Sequence, residues 1–184
     1  GLYGKYLLEH LTELPVEVDL GSEFRYRDPK FDEHTLIVAV SQSGETADTL
    51  ASIRMARERG CRVLSLCNVD GSTLVRESDR VFPLDAGPEI GVASTKAYTA
   101  MLAAFVLTAL YVGRLRGELD EAAVRAFASD LRSVPDQLHY VLDRKAHIAE
   151  IAEKHHDGPS ALYMGRRFNY PTALEGALKN KEIS

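Results

Sequence analysis

Three hydroxyls, one amide and a glycine fall within six residues at Ser41-Gln42-Ser43-Gly44-Glu45-Thr46. The run before it, Leu36-Ile37-Val38-Ala39-Val40, is apolar and rich in β-branched residues. The segment after it places apolar residues at helical spacing: Leu50, Ile53, Met55 and Ala56. The stretch therefore reads as strand, polar turn and helix. A helix start exposes unpaired backbone N–H groups and the positive end of the helix dipole. Hydroxyls, an amide and a pliant backbone around such a start make a neutral cradle for an anion. No lysine sits in the turn and the G-x-x-x-x-G-K-[ST] pattern is absent, which favours a small phosphorylated molecule over a nucleotide. Serine and threonine are also ordinary helix N-caps. For any one hydroxyl here, capping explains its presence as well as binding does. Four hydrogen-bonding side chains exceed what a single cap needs, and the balance favours a site.

A second group of residues lies far along the chain. Glu175, Lys179 and Glu182 are spaced i, i+4, i+7 and share a face of the helix expected after Pro171. Taken alone they are an ordinary Glu–Lys surface pair, worth roughly 0.2–0.5 kcal/mol. Two cysteines, Cys61 and Cys67, flank an expected strand at a spacing that matches no zinc or redox pattern, and read as buried reduced thiols. His155-His156 has no His-x-x-x-His companion, so a metal site has no positive support.

The chain has 184 residues, 45% of them hydrophobic, enough for one packed domain and part of another. Its net charge of -5, with no dense basic cluster, argues against a dedicated nucleic-acid binder. The opening residues do not read as a signal peptide, so none is expected. The apolar stretch Met101 to Val112 is too short to span a bilayer and reads as a buried helix.

These groups must be positioned by the elements around them. An amphipathic helix opens the chain (Leu2, Tyr6, Leu7, Leu11, Leu14) and Pro15 stops it; Val16 to Leu20 alternates like a short strand, and Ser22 to Arg27 suits a short helix. Strand 35–41, helix 45–59 closed by Gly60, strand 62–67, a short helix near 73–77 and strand 80–84 follow. A Gly/Pro loop at 86–91 leads into a long helix from Thr95 to Arg116. Alternating strands and helices predict an α/β, doubly wound parallel sheet covered on both faces. Ligands in such sheets sit beyond the carboxyl ends of the strands, so residues 41–46, 68–73 and 86–95 are expected to gather at one edge. Lys96, at a helix start where the dipole disfavours a cation, calls for a compensating partner or ligand. Residues 120–157 read as charged helices broken near Pro135. From Pro159 the strand–turn–helix pattern restarts, with Ser160-Ala161-Leu162-Tyr163-Met164 as the strand. The expected organisation is a first subdomain at 1–118, connecting helices at 119–157 and the beginning of a second subdomain at 158–184. The chain opens inside a helix and stops without a helix terminator, so both ends read as cut from something larger.

Several segments together resemble the sugar isomerase (SIS) fold, and within it the isomerase half of the glucosamine-6-phosphate synthases. They are Glu23-Phe24-Arg25-Tyr26-Arg27, the run Ser41 to Thr49, Cys67-Asn68-Val69 with Ser78-Asp79, and Glu89-Ile90-Gly91-Val92-Ala93-Ser94-Thr95-Lys96-Ala97. Tyr170-Pro171-Thr172-Ala173-Leu174-Glu175-Gly176-Ala177-Leu178-Lys179 and Lys181-Glu182-Ile183-Ser184 complete them. The resemblance implies a three-layer, flavodoxin-like fold with the start of a second SIS subdomain. It implies that Ser41, Gln42, Ser43 and Thr46 hold a sugar phosphate, and that Val92 and Ser94 contact the sugar. Glu182 would carry the proton between C1 and C2 during ketose-to-aldose isomerisation. Lys179 would hold Glu182 or the substrate oxygens through its charge. No cofactor is implied, because the sugar's carbonyl is the electrophile.

The implied activity of the parent is conversion of fructose 6-phosphate and glutamine-derived ammonia to glucosamine 6-phosphate. The implied partners are that sugar phosphate, a glutaminase domain in the same parent chain and a second copy in a cytoplasmic homodimer. Nucleic acid and membrane are not expected partners. Several family features match no residue here: a Cys-Gly-Thr-Ser turn before the first helix, a ring-opening histidine and a Schiff-base lysine beyond Ser184, and the terminal cysteine of the glutaminase half. Arg167 stands where the family often has glycine. This chain alone is therefore expected to lack catalysis. The alternatives are a non-catalytic SIS module that senses a sugar phosphate, and a related SIS deaminase or isomerase acting on another amino-sugar phosphate.

Overall fold

The computed structural model describes residues 1–183. Its centre is a three-stranded parallel sheet in the order β1 (Leu36–Ser41), β2 (Arg62–Cys67), β3 (Arg80–Pro83). Leu36 pairs with Arg62 and Ser41 with Cys67, so β1 and β2 end level at their carboxyl ends. The helices are α1 (Leu2–Thr12), α2 (Gly21–Tyr26), α3 (Ala47–Glu58), α4 (Thr73–Glu77), α5 (Lys96–Arg116), α6 (Glu121–Leu142), α7 (Lys145–His155) and α8 (Asn169–Ile183).

Strand periodicity divides the core. Ile37, Ala39, Val63 and Cys67 pack on one face with Leu50 and Ile53 of α3 and Leu74 of α4. Val38, Val40, Leu64 and Leu66 pack on the other with Ala104 and Phe105 of α5. Successive strand side chains point to opposite faces, and both faces are apolar because both are covered. Ile53, Val63, Leu66 and Leu74 are fully buried, each worth about 1.5–3 kcal/mol of transfer free energy. A third layer forms behind α5, where Leu7, Leu8 and Leu11 of α1 meet Ala109 and Leu110. The three-layer, doubly wound parallel architecture matches the sequence expectation. By length and apolar composition alone α5 is long enough to cross a membrane, longer than the apolar run inside it suggested. Its Ala97, Ala104, Phe105, Ala109, Leu110 and Gly113 are nevertheless buried against the sheet and α1.

Four local expectations are corrected. Val16 to Leu20 forms no strand. Its backbone is occupied by α1: Val16 N donates to Glu9 Oε1 at 3.2 Å and Lys5 Nζ donates to the Val16 carbonyl. Ser160 to Met164 also forms no strand, and no strand among the described residues runs beside it to supply ladder bonds. Finally, α6 continues through Pro135 without a break. Proline removes one N–H from the helix, but this segment is exposed, so water can satisfy the freed carbonyl. Helix α8 begins at Asn169, three residues earlier than expected, with Pro171 buried in its first turn, where a missing N–H costs nothing.

Candidate functional site

The Ser41–Thr46 turn leaves the carboxyl end of β1 and enters α3. Within it, Ser41 Oγ accepts the Gly44 N–H at 2.9 Å and Ser43 Oγ accepts the Glu45 N–H at 3.3 Å. Ser41 is buried, whereas Thr46 is exposed at the N-cap of α3 and makes no side-chain capping bond. Capping therefore does not account for Thr46, and the N–H groups of the first turn of α3 are not met by its hydroxyl. Gln42 and Ser43 are partly exposed beside it. The mouth thus combines Thr46, Ser43, Gln42 and a helix start, a neutral set of donors suited to a phosphate-type anion.

The next βα turn is stitched to this one. Val69 N donates to the Gln42 carbonyl at 3.2 Å and Leu74 N to the Gly44 carbonyl at 3.0 Å. Glu45 Oε1 accepts the Thr73 N–H at 2.7 Å. This bond is the first cause that holds Glu45 below the usual carboxylate range. Ser72, buried at the N-cap of α4, lies 3.5 Å from Cys67 Sγ. The third loop joins through Asn68, whose Nδ2 donates to the Gly87 carbonyl and whose Oδ1 accepts the Ala86 N–H, both at 2.8 Å. Residues 41–46, 68–73 and 86–87 therefore meet at one sheet edge, as strand-end logic predicts. Sequence reasoning quoted Asn68 and Glu45 without giving them these roles. Their signal was present: amide and carboxylate side chains in a turn readily take up loop N–H groups.

Ser94 lies near the end of the third loop, 3.5 Å from Glu89 Oε1, and Val92 is almost wholly exposed. Glu89 accepts the Ala97 N–H and so caps the start of α5; Lys96 acts on it only as a minor charge, and among the described residues no ion pair joins the two. Lys179 and Glu182 sit on α8, with Lys179 Nζ donating to Glu182 Oε2 at 2.6 Å and lying 3.4 Å from Glu175 Oε1. The Glu182 bond is the leading cause that raises the Lys179 pKa. The face carrying these residues lies near the first turn of α5: burial, then the Glu175 carboxylate, pushes the Tyr98 phenol up. The Tyr98 hydroxyl is buried beside Thr172 of α8. Among the described residues no hydrogen bond joins Lys179 or Glu182 to the Ser41–Thr46 turn; α8 instead packs on α1, with Phe168 set among Tyr3, Tyr6 and His10. Arg167 holds a left-handed backbone, φ 55°, so the turn keeps the conformation glycine favours. Cys61 and Cys67 are buried free thiols, and burial raises the Cys61 pKa.

A parallel sheet covered by helices on both faces, with a polar turn past the end of its first strand, defines a doubly wound α/β domain with a candidate anion site at that strand end. Residues 1–111 match the SIS domain, and the chain belongs to that family. Over all 184 residues it is 52% identical to glutamine–fructose-6-phosphate aminotransferase (isomerizing) of Thermus thermophilus and 52% identical to that of Symbiobacterium thermophilum. The chain spans 30% of the length of each of these curated relatives. Its fold superposes with a TM-score of 0.96 on the C-terminal domain of glucosamine-fructose-6-phosphate aminotransferase from Francisella tularensis, at 40% identity. That match covers 100% of this chain and 52% of the other.

Proposed function

We propose that this chain is part of the isomerase region of a glutamine–fructose-6-phosphate aminotransferase and holds the phosphate end of fructose 6-phosphate or glucosamine 6-phosphate. The observation that carries the reading is Thr46, exposed at the N-cap of α3 with its hydroxyl uncommitted and Ser43 and Gln42 beside it. The 52% identity across the full chain to the Thermus enzyme supports the same reading. Ser41 shapes the cradle through its bond to Gly44, while Gln42, Ser43 and Thr46 face the ligand. Val92 and Ser94 contact the sugar from the third loop.

In the parent enzyme, Glu182 takes the proton from one of C1 and C2 and returns it to the other. Lys179, 2.6 Å from Glu182, holds that carboxylate in place through a charge-assisted hydrogen bond. The aldose–ketose shift is redox-neutral overall and calls on no cofactor. Residues 1–118 form the first SIS subdomain, 119–157 connect, and 158–184 begin the second, where segment 160–164 gains its ladder partners. A glutaminase domain supplies ammonia, and two copies pair in the cytoplasm.

The test is isothermal titration of this chain with fructose 6-phosphate, beside turnover of the complete enzyme carrying Glu182→Gln. Binding by the chain that is lost in Thr46→Ala, together with loss of turnover in E182Q, is the expected pair of results. Unaltered turnover in E182Q overturns the catalytic assignment and leaves the non-catalytic sensing module as the better account.

A further inference from the structure

Helix α5 starts with a cation, Lys96, and its N-cap residue Thr95 makes no side-chain capping bond. One carboxylate meets the orphan donors instead. Glu89 Oε1 accepts the Ala97 N–H at 2.7 Å and the Thr95 N–H at 3.3 Å, and Ser94 Oγ donates to the same oxygen at 3.5 Å. A negative charge here also offsets Lys96 and the positive end of the dipole. The bonds close residues 89–97 into a loop whose other end, at Ala86 and Gly87, is fixed by Asn68. Between the two anchors Ile90 and Val92 are 95% and 93% exposed. Aliphatic side chains so exposed contribute nothing to the core, so the loop's shape comes from its polar anchors rather than from packing.

We propose that Glu89 is a positioning residue of the sugar site: by accepting the Ser94 O–H, it turns the remaining Ser94 lone pairs outward to accept a hydrogen bond from a sugar hydroxyl. Carboxylate caps are common, and a cap alone would explain the two N–H bonds. The third bond, to a hydroxyl in the loop beside the cradle, is what a cap does not require. A hydroxyl offers one donor and two acceptor positions, so committing its proton to Glu89 defines what it presents to the ligand. A free Ser94 would rotate between roles. The inference rests on the sugar-phosphate reading above.

The experiment uses the complete enzyme and fructose 6-phosphate. Glu89→Ala should raise KM about tenfold while kcat changes less than twofold, the size expected for losing one charge-assisted anchor. Glu89→Ala added to Ser94→Ala should raise KM no further than Ser94→Ala alone, because Glu89 acts on the sugar only through that hydroxyl. If Glu89→Ala does not fold, Glu89→Gln keeps an acceptor oxygen and should raise KM by about threefold. A fall in thermal midpoint with unchanged KM in either folded variant, or a fully additive double variant, overturns the proposal. Thr46→Ala separates the two levels: if it raises KM and the Glu89 variants do not, the Glu89 role fails alone. If Thr46→Ala also leaves KM unchanged, the sugar-phosphate reading fails with it.

Discussion

Gly44 and Ser72 lie in direct backbone-to-side-chain contact across two neighbouring βα turns. A Cβ at Gly44 would collide with Ser72 Oγ and come within 2.9 Å of Cys67 Sγ, and the Gly44 backbone sits at φ 66°. Two demands, a left-handed backbone and zero side-chain volume, fall on one residue. Gly44→Ala should therefore destabilise the fold by about 2–5 kcal/mol, combining left-handed strain with overpacking. Urea unfolding should show a lower midpoint at unchanged slope. A midpoint within error of the native one would show that the two turns separate freely.

Thr46 predicts the opposite pattern. Its hydroxyl makes no capping bond, so Thr46→Ala should leave thermal stability nearly unchanged. A hydrogen bond to a charged phosphate is worth about 1.5–3 kcal/mol, so sugar-phosphate affinity should fall tenfold or more. Calorimetric titration with fructose 6-phosphate reads the loss, and inorganic phosphate as competitor reports whether it lies at the phosphate end.

The Lys179–Glu182 pair is partly covered, its side chains 23% and 31% exposed, and a lone ion pair on a helix contributes modestly to stability. Glu182→Gln in the complete enzyme should cost at least about 10²-fold in kcat, the usual contribution of a positioned proton carrier. Its thermal midpoint should stay within a degree or two. Loss of stability with retained turnover would assign the pair to structure.

Acid should loosen the loops before the core. The Ala97 bond and lesser neighbours hold Glu89 below its ordinary value, and Asp28, bonded first by Lys30 and then by Arg59, is lowered to about 2. A depressed folded pKa contributes stability that is present above the unfolded pKa and lost as pH falls through the folded one. The thermal midpoint should therefore hold steady above pH 5 and decline as pH falls from about 4 toward 2. Asp28→Asn, which still tolerates the φ of 50° found there, should flatten part of that decline. An equal slope in D28N would remove Asp28 from the account.

Arg167 carries left-handed strain without glycine's freedom. Arg167→Gly should gain about 0.5–1 kcal/mol, because relief of about 1–2 kcal/mol outweighs the extra unfolded-state entropy. A higher midpoint in thermal unfolding is the expected result, and a lower one would show that the Arg167 side chain holds the turn.

Much of the sheet and its covering helices was legible because their signals are local. The β-branched run at 36–40, the apolar spacing from Leu50 to Ala56 and the glycine at 60 each state their own element. Their alternation implies parallel strands, and parallel strands imply a shared ligand edge. The turn at 41–46 was legible for the same reason, since a polar turn between strand and helix is a contiguous string. The link from Asn68 to Ala86 and the Glu45–Thr73 bond were not, because each joins residues 18 or more positions apart by a geometry that spacing does not encode.

The misread segments share one cause. Val16 to Leu20 and Ser160 to Met164 have strand-like composition, but a strand exists only when another strand supplies its hydrogen bonds. For the first, α1 side chains claim the Val16 backbone; for the second, no neighbouring strand lies alongside among the described residues. By itself, the amino-acid sequence determined periodicity, turn chemistry and the order of elements, which are short-range steric and hydrophobic properties of the chain. Tertiary structure alone decided which backbone groups found partners, which hydroxyls stayed uncommitted and which carboxylate capped the start of α5, because those outcomes depend on groups brought together only by packing.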